Sequence, residues 1–243
     1  MFLANSKVFL KRLAMPLAAT VLVGACGSDN DNTVAMPTPA PEPAPTEYSY
    51  EVTMVNLTHG QPLSPITVAL HGDEMLWQIG MPASVALEKL AEGGDNSELL
   101  AMEFIVASNS AEGALMPGSS TSVTVTTTST AATHLSVATM LVNTNDAFSG
   151  LTGLELSMLD VDASKTWHLN VYDAGTEANT EAMGTIPGPA DSGMGYEQTR
   201  DDIDLVAMHP GVVSKDDGLT NSVLTQAHRF DNPSIKLTIT RTK

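Results

Sequence analysis

The chain has 243 residues, enough for one large domain or two small ones. Its 42% apolar residues allow a packed core, while aromatics are sparse at 5%. With 28 Asp plus Glu against 11 Lys plus Arg, the formal charge is −17, which argues against a nucleic-acid partner, because phosphate binding needs a basic face. A single cysteine excludes an internal disulfide framework and a cysteine-based zinc site.

The first residues read as an address. Lys7, Lys11 and Arg12 form a basic stretch, and Leu13 to Val23 is a short apolar run broken by Pro16 and Thr20. Gly24 and Ala25 then precede Cys26, the pattern of a cleaved secretory signal over residues 1–25 rather than a membrane span. Leu22-Val23-Gly24-Ala25-Cys26 resembles the lipobox of bacterial lipoproteins. That resemblance implies cleavage before Cys26, lipidation of its sulfur and a stable membrane anchor. The plainer reading is an ordinary signal peptide with an incidental cysteine. Gly27 in place of Asp favours the bacterial outer membrane, by the same resemblance.

Residues 26–47 form the lipidated N-terminus and a tether. The stretch GSDNDNTVAMPTPAPEPAPTE alternates Pro with Ala, Thr and Glu, has almost nothing to bury, and predicts an extended, semi-rigid spacer. The expected folded domain is residues 48–243.

From Tyr48 the pattern is that of strands. Tyr50, Val52 and Met54 alternate with Glu51 and Thr53. Ile66–Leu70, Ser120–Thr128, His134–Val142, Leu154–Leu159 and Trp167–Tyr172 follow as apolar or β-branched runs, and Ile235, Leu237 and Ile239 alternate with Lys236, Thr238 and Thr240. Helical signals are confined to one region. Ser84 is placed to cap a helix bearing Leu87, Leu90 and Ala91, with Gly93 and Gly94 ending it, and Asp95 or Asn96 a second turn through Leu99, Leu100 and Ile105. Residues 175–200 and 209–234 read as long loops. The sum is an all-β chain, a β-sandwich with a short helical insert and long loops.

Catalytic signatures are absent: there is no G-x-S-x-G, no H-E-x-x-H and no phosphate-binding glycine loop. Asp160-x-Asp162-x-Ser164 opens like a calcium loop but has Lys165 and Val171 where Gly and Glu are needed, so it reads as a turn. The six histidines show no metal-site spacing. Two loops concentrate acids and amides where strands open: Asn143–Gly150 and Tyr172–Asn179. Asp173 and Glu177 flank a turn at Gly175, and with Asp146 they offer oxygens of the kind Ca²⁺ takes. The plainer reading of the residues alone is that Asp146 and Asp173 are turn residues bonded to their own backbone.

The same loops carry a family resemblance. TNDAFSGL (144–151) and YDAGTEAN (172–179) resemble signature stretches of the spondin domain, and NLTHGQPLSP (56–65), GMPAS (80–84) and LEKLAEGGD (87–95) match in order. Weaker echoes are IPGP (186–189), His209-Pro210-Gly211 and Asn232-Pro233. The resemblance implies a sandwich similar to C2 domains with one calcium ion at its end, held by Asp146, Asp173 and Glu177. The last of these is often Asp in animal members. Animal spondin domains also carry disulfides, which this chain cannot form. The implied role is adhesion or binding of a protein or glycan ligand, not catalysis. The rival is a metal-dependent hydrolase acting on envelope or extracellular polymers, with His59, His71 or Glu181 as its base. A purely structural envelope protein is the third expectation.

Overall fold

The computed structural model describes residues 44–243; the signal stretch, Cys26 and most of the tether lie outside them. Two antiparallel sheets form the fold. One has four strands in the order β4-β1-β10-β7, from Ser120–Thr127 (β4), Tyr48–Asn56 (β1), Ile235–Arg241 (β10) and Ser164–Leu169 (β7). The other has six in the order β3-β2-β5-β6-β8-β9. Its strands are Ile105–Ser110 (β3), Thr67–His71 (β2), His134–Met140 (β5), Ala147–Glu155 (β6), Val171–Asp173 (β8) and Ala207–Met208 (β9).

The main core lies between the sheets. Val52, Met54, Val123, Leu237 and Ile239 from the first meet Val68, Leu70, Leu135, Val137 and Ala147 from the second. The chain is thus an all-β sandwich, driven by burial of one apolar face from each sheet. A second core covers the other face of the six-stranded sheet. There Leu87, Leu90 and Ala91 of α1 (Val85–Gly93) pack with Leu99, Trp77, Ala138, Phe148 and Val206. Successive strand residues consequently serve different cores: Ala147 faces the first and Phe148 the second.

The helical insert follows its caps. Ser84 Oγ accepts Leu87 N at 3.2 Å, and Gly94 ends the helix with φ of 68°. The second helical turn, α2, stops after Ser97–Leu100, and Ile105 starts β3 instead of continuing it. The adjacent β-branched Ile105 and Val106 favour the strand, which pairs with β2.

Three further stretches differ from the sequence reading. Ala147–Gly150 is strand, not loop, and pairs with both β5 and β8. Gly150 marks a close approach: a Cβ there would overlap the Val137 carbonyl and lie 2.8 Å from the Trp77 ring. Trp167–Tyr172 is not one strand. The chain leaves the first sheet after Leu169 and enters the second at Val171, whose N–H goes to Asn232 Oδ1 at 2.8 Å. Leu156–Met158, read as strand, is a 3₁₀ turn.

Candidate metal centre

The β5–β6 and β8 strand ends meet at one edge of the sandwich. Asp146 immediately precedes β6, Asp173 ends β8, and the register pairs Ala147 with Asp173. Two carboxylates from turns far apart in sequence therefore lie at the same end of neighbouring strands, both buried. Thr144 sets the first turn: its hydroxyl donates to Leu141 O at 2.6 Å and accepts Ala147 N at 3.1 Å. Asp173 sets the second, its Oδ1 accepting Gly175 N at 2.7 Å. Gly175 takes φ of 71°, a left-handed conformation that suits glycine.

That turn folds Thr176 and Glu177 onto Asp146. Asp146 Oδ2 accepts Thr176 N at 2.8 Å, Glu177 N at 3.1 Å and Thr176 Oγ1 at 3.3 Å. Asp146 Oδ1, in contrast, is buried and has no hydrogen-bond partner. Burial, reinforced by the charge of Asp173, pushes the Asp146 carboxyl up to about 7. An uncompensated buried carboxylate oxygen is costly, and a hard cation compensates it. The donor chemistry here is oxygen, which suits Ca²⁺ or Mg²⁺ rather than a softer metal.

Glu177 divides its contacts. Its backbone touches Asp146, but its Oε1 accepts Asn145 Nδ2 at 2.8 Å. Burial raises its carboxyl to about 7, with Glu92, Asp201 and Glu197 adding repulsion against the Asn145 bond. Among the described residues, no three His, Cys, Asp or Glu side chains gather as a metal-binding group. Asp146 and Asp173 form the close pair, and further oxygens for a cation have to be neutral ones, carbonyls or water.

His209, which the sequence reading placed in a family echo but gave no role at the site, braces Asp173 through Asn179. His209 Nδ1 accepts Gly211 N at 2.9 Å, so the proton sits on Nε2, which donates to Asn179 Oδ1 at 3.1 Å. Asn179 Nδ2 in turn donates to Asp173 Oδ2 at 2.6 Å. Burial lowers the His209 value to about 4 despite the opposing effect of Asp173, which keeps the ring neutral. No spacing signal connects these residues; β9 brings them together by pairing Asp173 with Ala207.

The Spondin_N family model matches residues 55–186, a span that holds both acidic turns. The chain belongs to the Spondin_N family. No curated protein matches it. Membership points to an extracellular module of ligand-binding or adhesion type, in a family that is in general non-enzymatic. The spondin match ends before β9 and β10, so His209 lies beyond it.

The three alternative bases of the hydrolase reading lie in different surroundings. His59 is exposed. His71 is buried at the other end of β5, paired with His134, and both its ring nitrogens are bonded, to Gly72 O and Ser136 Oγ. Glu181 lies beside the acidic turns: its N–H goes to Asn145 Oδ1 and its Oε1 accepts Val213 N, while Oε2 is unpartnered. A cleft of about 420 Å³, lined by Tyr48, Tyr50, His134, Glu155 and Arg241, sits at the His71 end, with none of the three carboxylates in its wall.

Proposed function

We propose that the chain is a lipid-anchored bacterial envelope protein. Cys26 tethers it to the outer membrane, and its spondin domain binds a protein or glycan ligand through loops shaped by one calcium ion. Asp146 and Asp173 hold the ion, and Glu177 supports it from the Asn145 bond. Asp146 before β6 and Asp173 at the end of β8 would hold the ion, whose charge would offset theirs. The observation that carries this reading is Asp146 Oδ1, a buried carboxylate oxygen with no hydrogen-bond partner, in a carboxyl that also feels the charge of the buried Asp173.

The chain's own residues prepare the place. Thr176 and Glu177 N–H groups fix one Asp146 oxygen and leave the other for the ion. The His209–Asn179 pair fixes Asp173. Among the described residues no helix is long and apolar enough to cross a membrane. The proposed anchor is the lipid on Cys26, motivated by the Leu22–Cys26 run.

Thermal melting with calcium and with chelator tests the ion, alongside calorimetric titration. Calcium is expected to raise the melting temperature and to bind at one site per chain. Identical melting in both conditions, with no heat of binding, overturns the calcium reading.

A further inference from the structure

The loop that rests on the Asp173 turn carries an apolar face. Asp204 N donates to Gly175 O at 2.7 Å, Asp201 N to Thr176 O at 3.1 Å, and Ala178 N to Asp201 Oδ1 at 2.8 Å. The same loop is fastened to the segment before α1. Gly80 N donates to Val206 O at 2.8 Å, Val206 N to Met81 O at 2.9 Å, and an Arg200 guanidinium N–H to Ala83 O at 2.8 Å. Val206 and Ala83 turn inward to the second core. Their neighbours turn outward: Ile79, Met81, Ile203 and Leu205 are 59%, 54%, 58% and 40% exposed. Isolated exposed apolar side chains are ordinary, but four on two segments bonded side by side form a patch of the kind that marks an interaction site.

The rim of this patch is acidic. Glu197, Asp201, Asp202 and Asp204 stand beside Ile203 and Leu205 in sequence, and the one cation among residues 197–205, Arg200, is committed to Glu88, Asp204 and Ala83. We infer that the face formed by Ile79, Met81, Ile203 and Leu205 docks a polypeptide segment with an apolar centre flanked by Lys or Arg. The inference rests on the ligand-binding reading above and names its partner class. Charge complementarity selects this occupant. A second copy of the chain would set acid against acid, an anionic bilayer would be repelled, and a neutral glycan would leave the rim uncompensated. Because the docking loop is seated on Gly175 and Thr176, calcium at the neighbouring turn strengthens the docking by holding the loop in place.

The test uses the full-length protein in detergent with three probes: a Leu-centred peptide flanked by Lys, the same peptide with Glu for Lys, and phosphatidylglycerol vesicles. The Lys peptide is expected to bind, more weakly as salt rises, and the Glu peptide and the vesicles not to bind. Ile203→Ser with Leu205→Ser should weaken Lys-peptide binding about tenfold or more with calcium affinity unchanged. Asp201→Asn with Asp202→Asn should weaken it and flatten its salt dependence. Met183→Ser with Asp160→Asn, away from the patch, should leave it intact. Equal loss in this control pair, unaltered binding in the patch variants, or vesicle binding that the patch variants abolish would each overturn the inference. A melting temperature insensitive to chelator, with patch-dependent peptide binding retained, would sink the calcium reading alone.

Discussion

Asp146 holds Glu177 by its backbone and not by its side chain. The Glu177 N–H reaches Asp146 Oδ2 at 3.1 Å, while the Glu177 carboxylate accepts the Asn145 amide at 2.8 Å. The two acids are therefore not equivalent toward a cation at this end of the sandwich. Calcium at a hundred times its dissociation constant stabilises the native state by about 2.7 kcal/mol. For a domain of this size that is a rise of roughly 5–10 °C in melting temperature. Asp146→Asn and Asp173→Asn should each remove most of that rise, and Glu177→Gln should keep most of it. Melting curves in calcium and in chelator give the comparison. If Glu177→Gln abolishes the rise as fully as Asp146→Asn, Glu177 leaves Asn145 to bind the ion, and the two-carboxylate assignment fails.

His209 reaches the site by a hydrogen-bond relay through Asn179. Its neutral ring gives one N–H to the Asn179 oxygen, and the Asn179 amide fixes Asp173. Supports of this kind typically set metal affinity by about 10–100-fold. His209→Ala should lower calcium affinity by that order and also destabilise the calcium-free protein by about 1–3 kcal/mol, since buried partners lose a bond. His209→Gln, which retains a donor, should recover part of the affinity. Calorimetric dissociation constants decide the point: unchanged affinity in His209→Ala would mean that Gly175 alone orients Asp173.

How much of this was legible in the sequence depended on which faces water touches. The Ile235–Ile239 alternation was readable because Lys236 is exposed while Ile235, Leu237 and Ile239 are buried. The Ser84 and Gly94 caps were readable because their chemistry is local. β5 and the start of β6 are buried on both faces, so alternation vanishes, and Ala147–Gly150 looked like loop after a run of Asn and Asp. Asp146 and Asp173 stood out because each opens a turn. The contact of His209 with Asn179 did not, because a two-residue strand, β9, sets their meeting and a pattern that short carries no period.

The membrane attachment rests on the Leu22–Cys26 run and on Cys26 being the chain's one cysteine. Cys26→Ala should move the protein from the membrane fraction to the soluble fraction without altering the melting of the domain, since β1 begins at Tyr48. Fractionation, with mass spectrometry of the N-terminus, checks it. A wild-type protein that is soluble and carries an unmodified N-terminus would remove the anchor from the proposal.

Acidity should act on the site with a definite sign. Burial and the charge of Asp173 raise the Asp146 carboxyl to about 7, from an ordinary value of 3.8. A carboxyl raised in the folded state contributes fully to stability below its unfolded value and loses that contribution as pH rises through the folded one. In chelator, the wild type is thus penalised for ionising Asp146 between about pH 4 and 7, and Asp146→Asn is not. The melting temperature of the variant minus that of the wild type should climb from about pH 5 to about pH 8. His209, lowered to about 4, contributes with the opposite sign over the lower part of this window, and taking the difference between two proteins that both carry it reduces its share. Saturating calcium should invert the trend, because the ion binds the ionised carboxylate and the wild type gains as the proton leaves. Melting of both proteins across that pH range, with and without calcium, reads the effect. A difference that stays flat in chelator and in calcium would mean that Asp146 ionises in the folded protein as an ordinary carboxylate, and that its unpartnered oxygen is not reserved for a cation.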